Sequence, residues 1–371
     1  MAHIDPKKLS FLQGEELLST LEQEAVKNGI SDIHINPQKA GVKIEWRELG
    51  LLATLLTVSH ETFETIKRRI KFKSRLKMNI ETIAQDGQYT FPAAGRMINV
   101  RVASLPSRFG EAYTLRLLDP QRGIVPLEQL GFPLGIKQKL MELVELPNGL
   151  ILVTGPTGSG KTTTLYALLS TLSGKDRNII TLEDPIEYEL KDIIQSQIDI
   201  EHGYTFATGL RAILRHDPDI ILVGEIRDQE TAQTAIDASL TGHLVLATLH
   251  TNSAIEAIPR LLSMGVSTYT FAPALRAVLA QRLVRTINPE MRETVEQRSE
   301  SEPRFYTGQC SLPELLIASE NIKNLILNQA TASEILAAAR KEGFRTMAEW
   351  GETMVKEKVT SMLEVTRVTA V

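Results

Sequence analysis

The segment Gly155-Pro156-Thr157-Gly158-Ser159-Gly160-Lys161-Thr162-Thr163-Thr164 sharply limits what this chain can fold into. It fills every fixed position of the pattern G-x-x-x-x-G-K-[ST]. Leu150 to Thr154 ahead of it is a short apolar run that reads as a buried parallel strand, and Thr162 to Leu172 behind it reads as a helix. Strand, glycine loop and helix is the setting in which such a loop wraps an anionic phosphate chain. The glycines let backbone N–H groups turn inward, and the helix N-terminus adds the positive end of its dipole. Residues Gly155 to Thr163 are therefore the expected phosphate cradle. Lys161 would reach the β- and γ-phosphates, and the Thr162 hydroxyl would ligate Mg²⁺.

The pattern on either side of the loop supports an α/β fold. From Gly149 onward short apolar runs alternate with helical stretches, as in a parallel sheet. The expected strands are Leu150–Thr154, Ile179–Glu183, Ile220–Glu225 and Leu244–Leu249. Past Asn288 a polar stretch runs from Pro289 to Pro303. Helices are then expected at Leu312–Ser319, Ile322–Gln329, Ala332–Glu342 and Met347–Glu357. Ahead of the loop, Gly14 to Gly29 has helical spacing, and Asp32–Ile35 and Val42–Trp46 alternate as strands. Thr62 to Met78 reads as a helix carrying Lys67, Arg68, Arg69, Lys71, Lys73, Arg75 and Lys77. That run fits a solvated face. The other reading is contact with an acidic partner, a neighbouring subunit or anionic lipid. Ile98–Ala103 and Ala112–Leu118 read as an antiparallel pair in which Arg101 and Arg116 leave the same non-core side. Asp119 to Phe132 has the Pro and Gly content of a linker.

Composition narrows the class. A chain of 371 residues accommodates two or three domains. Hydrophobic content of 43% and charged content of 23% are ordinary for a globular protein, and a net charge of −4 gives no global basic field to recruit nucleic acid. The single cysteine, Cys310, allows no internal disulfide and fits a reducing compartment. No apolar run has the length of a membrane span, and the N-terminus lacks a signal-peptide core, so a cytoplasmic protein is expected.

In open α/β sheets ligands bind beyond the carboxyl ends of the strands, and here those ends are chemically loaded. Ile179–Glu183 runs into Asp184 and Glu187, Ile220–Glu225 into Arg227 and Asp228, and Leu244–Leu249 into His250. Hydrolysis of a bound triphosphate needs an acid near Mg²⁺, a group that orients water, and positive charge at the departing phosphate. Glu225 suits the water. Glu183 and Asp184 suit the metal shell. Gly224 stands where an acid often does, so the metal-linked role is shared between Glu225 and the Glu183–Glu187 segment. His243 and His250 are expected to sense the γ-phosphate by hydrogen bonding.

These segments together resemble the secretion ATPase superfamily, the GspE/PilB-like ATPases of type II secretion and type IV pilus assembly. Its four motifs match the phosphate loop, Thr181–Tyr188, Gly209–Asp228 and Gly242–Asn252, in order. The resemblance extends from Ser31-Asp32-Ile33-His34 through Ala280–Arg285 to Glu364–Thr369. It implies a homohexameric motor using ATP and Mg²⁺. The architecture implied is a PAS-like α+β N-terminal domain over 1–119, a linker over 120–134, and a RecA-like P-loop NTPase domain over 135–371, helical from about 289. It also implies that Arg101 and Arg116 reach the phosphates from the N-terminal domain as arginine fingers, each worth about 10³–10⁵ in rate. The implied partners are further copies of the chain and an inner-membrane platform protein, with the motor held at the inner face of the cell membrane and no nucleic acid involved.

Two features depart from the family pattern. Asn288 to Arg304 holds no cysteine where a tetracysteine zinc motif is usual, so no zinc is expected. Arg47-Glu48-Leu49-Gly50 replaces the usual R-x-D-G. Beside an assembly motor stand three other readings: a retraction motor of the same family, a nucleotide sensor without turnover, and a nucleic-acid translocase, which the acidic charge disfavours.

Overall fold

A computed structural model describes residues 9, 12, 14–174, 176–297 and 305–370. The chain divides into two compact units, Met1–Gly123 and Ile124–Val371.

The first unit holds helix α1 (Gly14–Asn28), strands β1 (Asp32–Gln38), β2 (Gly41–Glu48) and β3 (Leu51–Val58), helix α2 (His60–Lys73), and strands β4 (Gln85–Ala93), β5 (Arg96–Ser107) and β6 (Gly110–Leu118). Among the described residues the strands make one antiparallel sheet in the order β3-β2-β1-β6-β5-β4. Alternation decides its faces. Ile33, Ile35, Val100, Val102 and Leu115 point into a core completed by Leu17, Leu18 and Leu21 of α1 and Phe63, Ile66 and Ile70 of α2. Arg101 and Arg116 stand directly opposite each other on β5 and β6, on the face away from that core. Arg116 pairs with Asp32 across the sheet at 2.9 Å.

The basic run differs from the solvated face expected of it. α2 stops at Lys73, capped by Ser74, and Arg75 takes a left-handed φ of 57°. Lys67 bridges Glu64 and Glu81 at 2.8 and 2.7 Å. Lys71 is 1% exposed and meets Glu111 at 2.7 Å. Lys73 meets Glu22 at 2.8 Å and lies over the Tyr89 ring. The inward cations are thus neutralised by the unit's own acids, because a buried ammonium is tolerated only when paired. Arg68, Arg75 and Lys77 alone of this run are exposed.

The second unit is built on helix α3 (Leu134–Val144), strand β7 (Gly149–Thr154), helix α4 (Lys161–Leu172), strands β8 (Ile179–Glu183) and β9 (Ile194–Gln197), helix α5 (Phe206–Ile213), strand β10 (Ile220–Val223), helix α6 (Gln229–Leu240) and strand β11 (Leu244–Leu249). Then come helices α7 (Ala257–Ser263) and α8 (Thr268–Ala274), strands β12 (Leu275–Ile287) and β13 (Tyr306–Ile317), and helices α9 (Glu320–Leu327), α10 (Ala332–Lys341), α11 (Met347–Lys356) and α12 (Met362–Thr369). The sheet order is β13-β12-β7-β11-β10-β8-β9. All neighbours are parallel except the β12–β13 pair. Apolar clusters cover both faces. Leu165, Leu168 and Leu169 of α4 lie on one, and Ala232, Ala235 and Ile236 of α6 on the other.

Two expectations need correction. Leu312–Ser319 is not a helix: Leu312 to Ile317 is the second half of β13, paired with β12 from Arg282 back to Ala277. Covering on both sides buries Leu312 through Leu316 without interruption, so the sequence shows no period of two. Pro313 is accommodated because β13 is an edge strand. The region from about 289 is likewise not helical throughout. It begins with a 3₁₀ stretch, Pro289–Gln297, and reaches the four C-terminal helices only after β13. Those helices start at Ser319, Thr331, Thr346 and Ser361, each a side-chain N-cap. Part of the polar stretch to Pro303 lies outside the described residues. The segment read as a linker is partly packed, with Leu127 and Phe132 buried in the second unit. No helix among the described residues is long and apolar enough to cross a membrane.

Candidate functional site

β7 lies inside the sheet, between β12 and β11. Its last residue, Thr154, is level with Leu249 of β11 and Ala280 of β12. The loop that follows therefore opens where several parallel strands end together. Its glycines are required by the backbone. Gly155 and Gly160 take φ of 149° and 88°. A Cβ on Gly155 would lie 2.5 Å from Ser159 Oγ and 2.6 Å from the Gln281 carbonyl oxygen. Ser159 Oγ is buried and has no hydrogen-bond partner among the described residues. A glycine loop leading into a helix N-terminus, with an orphaned hydroxyl beside it, fits a phosphate ligand.

Lys161 opens α4 and donates to the carbonyls of Gly155 and Pro156 at 2.8 and 3.1 Å. Burial, reinforced by the Arg282 charge and opposed by Glu225, pulls its ammonium down to about 8. A bound polyphosphate would raise it again. Ligand affinity should then be complete below pH 8 and fall as pH rises from 8 towards the higher value in the complex. Binding at pH 9 is expected to be about tenfold weaker than at pH 7, with net proton uptake, because the free site must first gain a proton. Calorimetry in buffers of different ionisation enthalpy measures that uptake; pH-independent binding without uptake would exclude the coupling.

The carboxylates gather beside α4. Thr162, Glu183, Asp184, Glu187, Glu225 and Thr248 line one cavity of about 90 Å³. Glu225 sits two residues past β10, where Gly224 N–H binds the Leu182 carbonyl at 2.7 Å and the Thr248 hydroxyl donates to the Gly224 carbonyl. Its carboxylate takes Arg227 Nε at 2.7 Å on one oxygen and faces His250 Nε2 at 3.2 Å on the other. Burial and the Lys161 and Arg227 charges lower the His250 pKa, with Glu225 opposing, so the imidazole is neutral at pH 7 and can donate from Nε2. Asp228 is the N-cap of α6, accepting from Thr231 N–H at 2.8 Å.

Glu183 is more committed than the sequence suggests. It is buried, with Oε1 accepting from the Thr181 hydroxyl at 2.5 Å and Gln195 Nε2 at 3.1 Å, and Oε2 accepting from the Tyr166 hydroxyl. One acceptor position remains on Oε2. That leaves Glu183 able to hold a metal-bound water better than a bare ion. The cavity offers oxygen donors only, and a hard cation such as Mg²⁺ uses one or two protein oxygens with phosphate and water. Thr162 with an acid of the Glu183–Glu187 segment fits that demand. Among the described residues no three His, Cys, Asp or Glu side chains form a metal cluster by themselves.

His243 is not brought to this cluster. It precedes β11, and its carbonyl accepts from Gly149 N–H at the start of β7, so a full strand length separates it from the loop. Its ring meets the Ala238 carbonyl at 2.9 Å instead. Arg101 and Arg116 belong to the first unit and are described there.

Two residues at the site had no assigned role in the sequence. Gln281 and Arg282 interrupt the apolar run of β12, and both are buried. Gln281 Nε2 donates to the Ser159 carbonyl at 2.8 Å and Oε1 accepts from the Thr164 hydroxyl at 2.9 Å. Arg282 donates to the Asn252 carbonyl at 3.1 Å in the loop after His250. Adjacent polar residues inside a buried strand were the available signal.

Comparison with known proteins finds relatives along almost the whole chain. The chain is 41% identical over 376 residues to the type II secretion system protein E of Pseudomonas aeruginosa, covering 95% of this chain and 75% of that protein. It is 38% identical over 393 residues to the type II secretion system ATPase E of Vibrio cholerae, covering 98% and 78%. Among solved structures it resembles the pilus retraction motor PilT with bound ADP, with a TM-score of 0.67 and 31% identity over 94% of this chain and 95% of that one. It shares its fold with the ATPase DotB of Legionella pneumophila, with a TM-score of 0.75 and 24% identity over 96% of each. The sequence profile of the Type II/IV secretion system protein family matches residues 10–367, and the chain belongs to that family.

Proposed function

We propose that this protein is a motor ATPase that hydrolyses ATP at the Gly155–Thr163 loop and, as a homohexamer on an inner-membrane platform protein, drives assembly of a type IV pilus or a secretion or competence pseudopilus. The observation that carries the reading is the convergence of Lys161, Thr162, Glu225 and His250 at the carboxyl ends of β7, β10 and β11. Type II secretion relatives at 38–42% identity support it.

In this reading the loop N–H groups and Lys161 hold the phosphates. Glu225 accepts a proton from the attacking water. Neutral His250 orients that carboxylate and can donate to the γ-phosphate. A magnesium ion held by Thr162 and an acid of the Glu183–Glu187 segment would neutralise charge on the phosphate oxygens. Arg101 and Arg116 are kept as the proposed arginine fingers on the strength of the family resemblance. The protein would act in the cytoplasm, at the inner face of the membrane. The likeness to PilT, at 31% identity, favours retraction as the second reading.

The test is ATP hydrolysis per chain against protein concentration. A rate that rises with concentration and then saturates is the expected result, since copies of the chain complete one another's sites. A near-zero rate at every concentration, alongside tight ATP binding, would overturn the motor in favour of a nucleotide sensor.

A further inference from the structure

β12 touches the phosphate loop without belonging to it. Residues along a strand alternate between faces. Ala277 and Leu279 pack on the side of α4, and Gln281 continues that row; Val278 and Ala280 face the opposite cluster, and Arg282 continues theirs. Each row is apolar until it reaches the level of the loops, where a polar side chain interrupts it. Gln281 is 0% exposed. A leucine or methionine would fill that space without burying a polar group of its own, so the amide needs a reason.

Its two hydrogen bonds supply one. The Ser159 carbonyl and the Thr164 hydroxyl bracket the four residues Gly160, Lys161, Thr162 and Thr163, and the Gln281 amide binds both. The Gln281 backbone also closes the space beside Gly155, and its side-chain nitrogen lies 3.0 Å from where a Cβ on Gly160 would be. A loop whose Ser159 carbonyl is drawn toward the strand cannot flip that peptide toward the ligand. The Gly160 N–H, antiparallel to that carbonyl in the same planar peptide, is then held pointing away from β12 before anything binds. We propose that Gln281 is a positioning residue of the phosphate site: its amide clamps both ends of Gly160–Thr163 and fixes the loop in its binding shape. This inference rests on the nucleotide reading given above.

The experiment measures Mg–ADP affinity of the full chain by calorimetry, with melting of each variant without nucleotide as the control for folding. Gln281→Leu is expected to weaken ADP about tenfold and Thr164→Val about threefold, the scale of losing two or one preorganising hydrogen bonds. Thr164→Ser, which keeps the hydroxyl, should bind as the unaltered protein does. A merely structural role predicts lower melting temperatures with affinity unchanged and no difference between the valine and serine variants, and that result overturns the proposal. If Gln281→Leu does not fold, the Thr164 pair decides by itself. Lys161→Ala separates the two readings. Should the unaltered protein bind ADP and Lys161→Ala fail to, while Gln281→Leu and Thr164→Val bind normally, the positioning role alone falls. Should the unaltered protein not bind, both fall.

Discussion

Glu225→Gln is expected to lower ATP hydrolysis by about 10²–10⁴ while leaving Mg–ADP affinity within a few-fold, the range lost when a general base is removed. The amide keeps the size and planarity of the carboxylate, so the cavity shared with Thr162 and Glu183 should be preserved. It cannot accept the proton of the attacking water. It also withdraws one negative charge facing Lys161 and His250 and leaves Arg227 a neutral amide in place of the carboxylate at 2.7 Å. Loss of that charge favours anion binding, so any change in affinity should be toward tighter binding. Single-turnover hydrolysis with calorimetric binding checks both halves. A variant that keeps hydrolysis within tenfold of the original would transfer the proton-accepting role to Asp184 or Glu187, which line the same cavity.

The second large effect is on stability. Lys71→Met should destabilise the first unit by about 3–5 kcal/mol, because it strands a buried carboxylate. Lys71 is 1% exposed and Glu111 is equally enclosed. The ammonium also donates to the Ile80 carbonyl at 2.7 Å, which pins the connection between α2 and β4. Glu111 Oε2 takes the Tyr113 hydroxyl at 2.9 Å as well, whereas Oε1 has no hydrogen-bond partner among the described residues. The pair is therefore costly to keep and more costly to break. Lys71→Met with Glu111→Leu should recover most of the loss, since the double variant buries no unpaired charge. Urea unfolding read from Trp46 in a Trp350→Phe background reports the first unit, because the chain's two tryptophans fall one in each unit. A single-variant loss below about 1 kcal/mol would mean that water reaches the pair.

The sequence made some elements plain and hid others for physical reasons. β7, its loop and α4 were legible because a short apolar run, a fixed glycine spacing and a helix occur in order. β8, β10 and β11 were legible as apolar runs of strand length. β12 and β13 were not, because burial on both faces removes the alternation by which a strand is recognised. The basic run of α2 misled for a related reason. A list of cations says nothing about which of them meet acids, and Glu22, Glu81 and Glu111 lie far away along the chain. His243 and His250 look alike as neighbours in one motif, but β11 stands between them, and at roughly 3.3 Å per residue it carries them about 20 Å apart. Gln281 shows the opposite case: a polar residue in an apolar run was visible in the sequence, but only its partners gave it a role.

The order of the second sheet bears on how this protein is made. β7 is flanked by β11 and β12, and its loop is braced by a side chain 122 residues further along the chain. A chain leaving the ribosome N-terminus first therefore presents its glycine loop long before the strand that supports it. Until β11 is made both edges of β7 are open, and until β12 is made one still is, with both faces apolar, a state prone to pairing with another molecule. Closing the edge and shaping the loop are the same event. A variant that loosens β12 should therefore lose ligand affinity and gain a tendency to aggregate together.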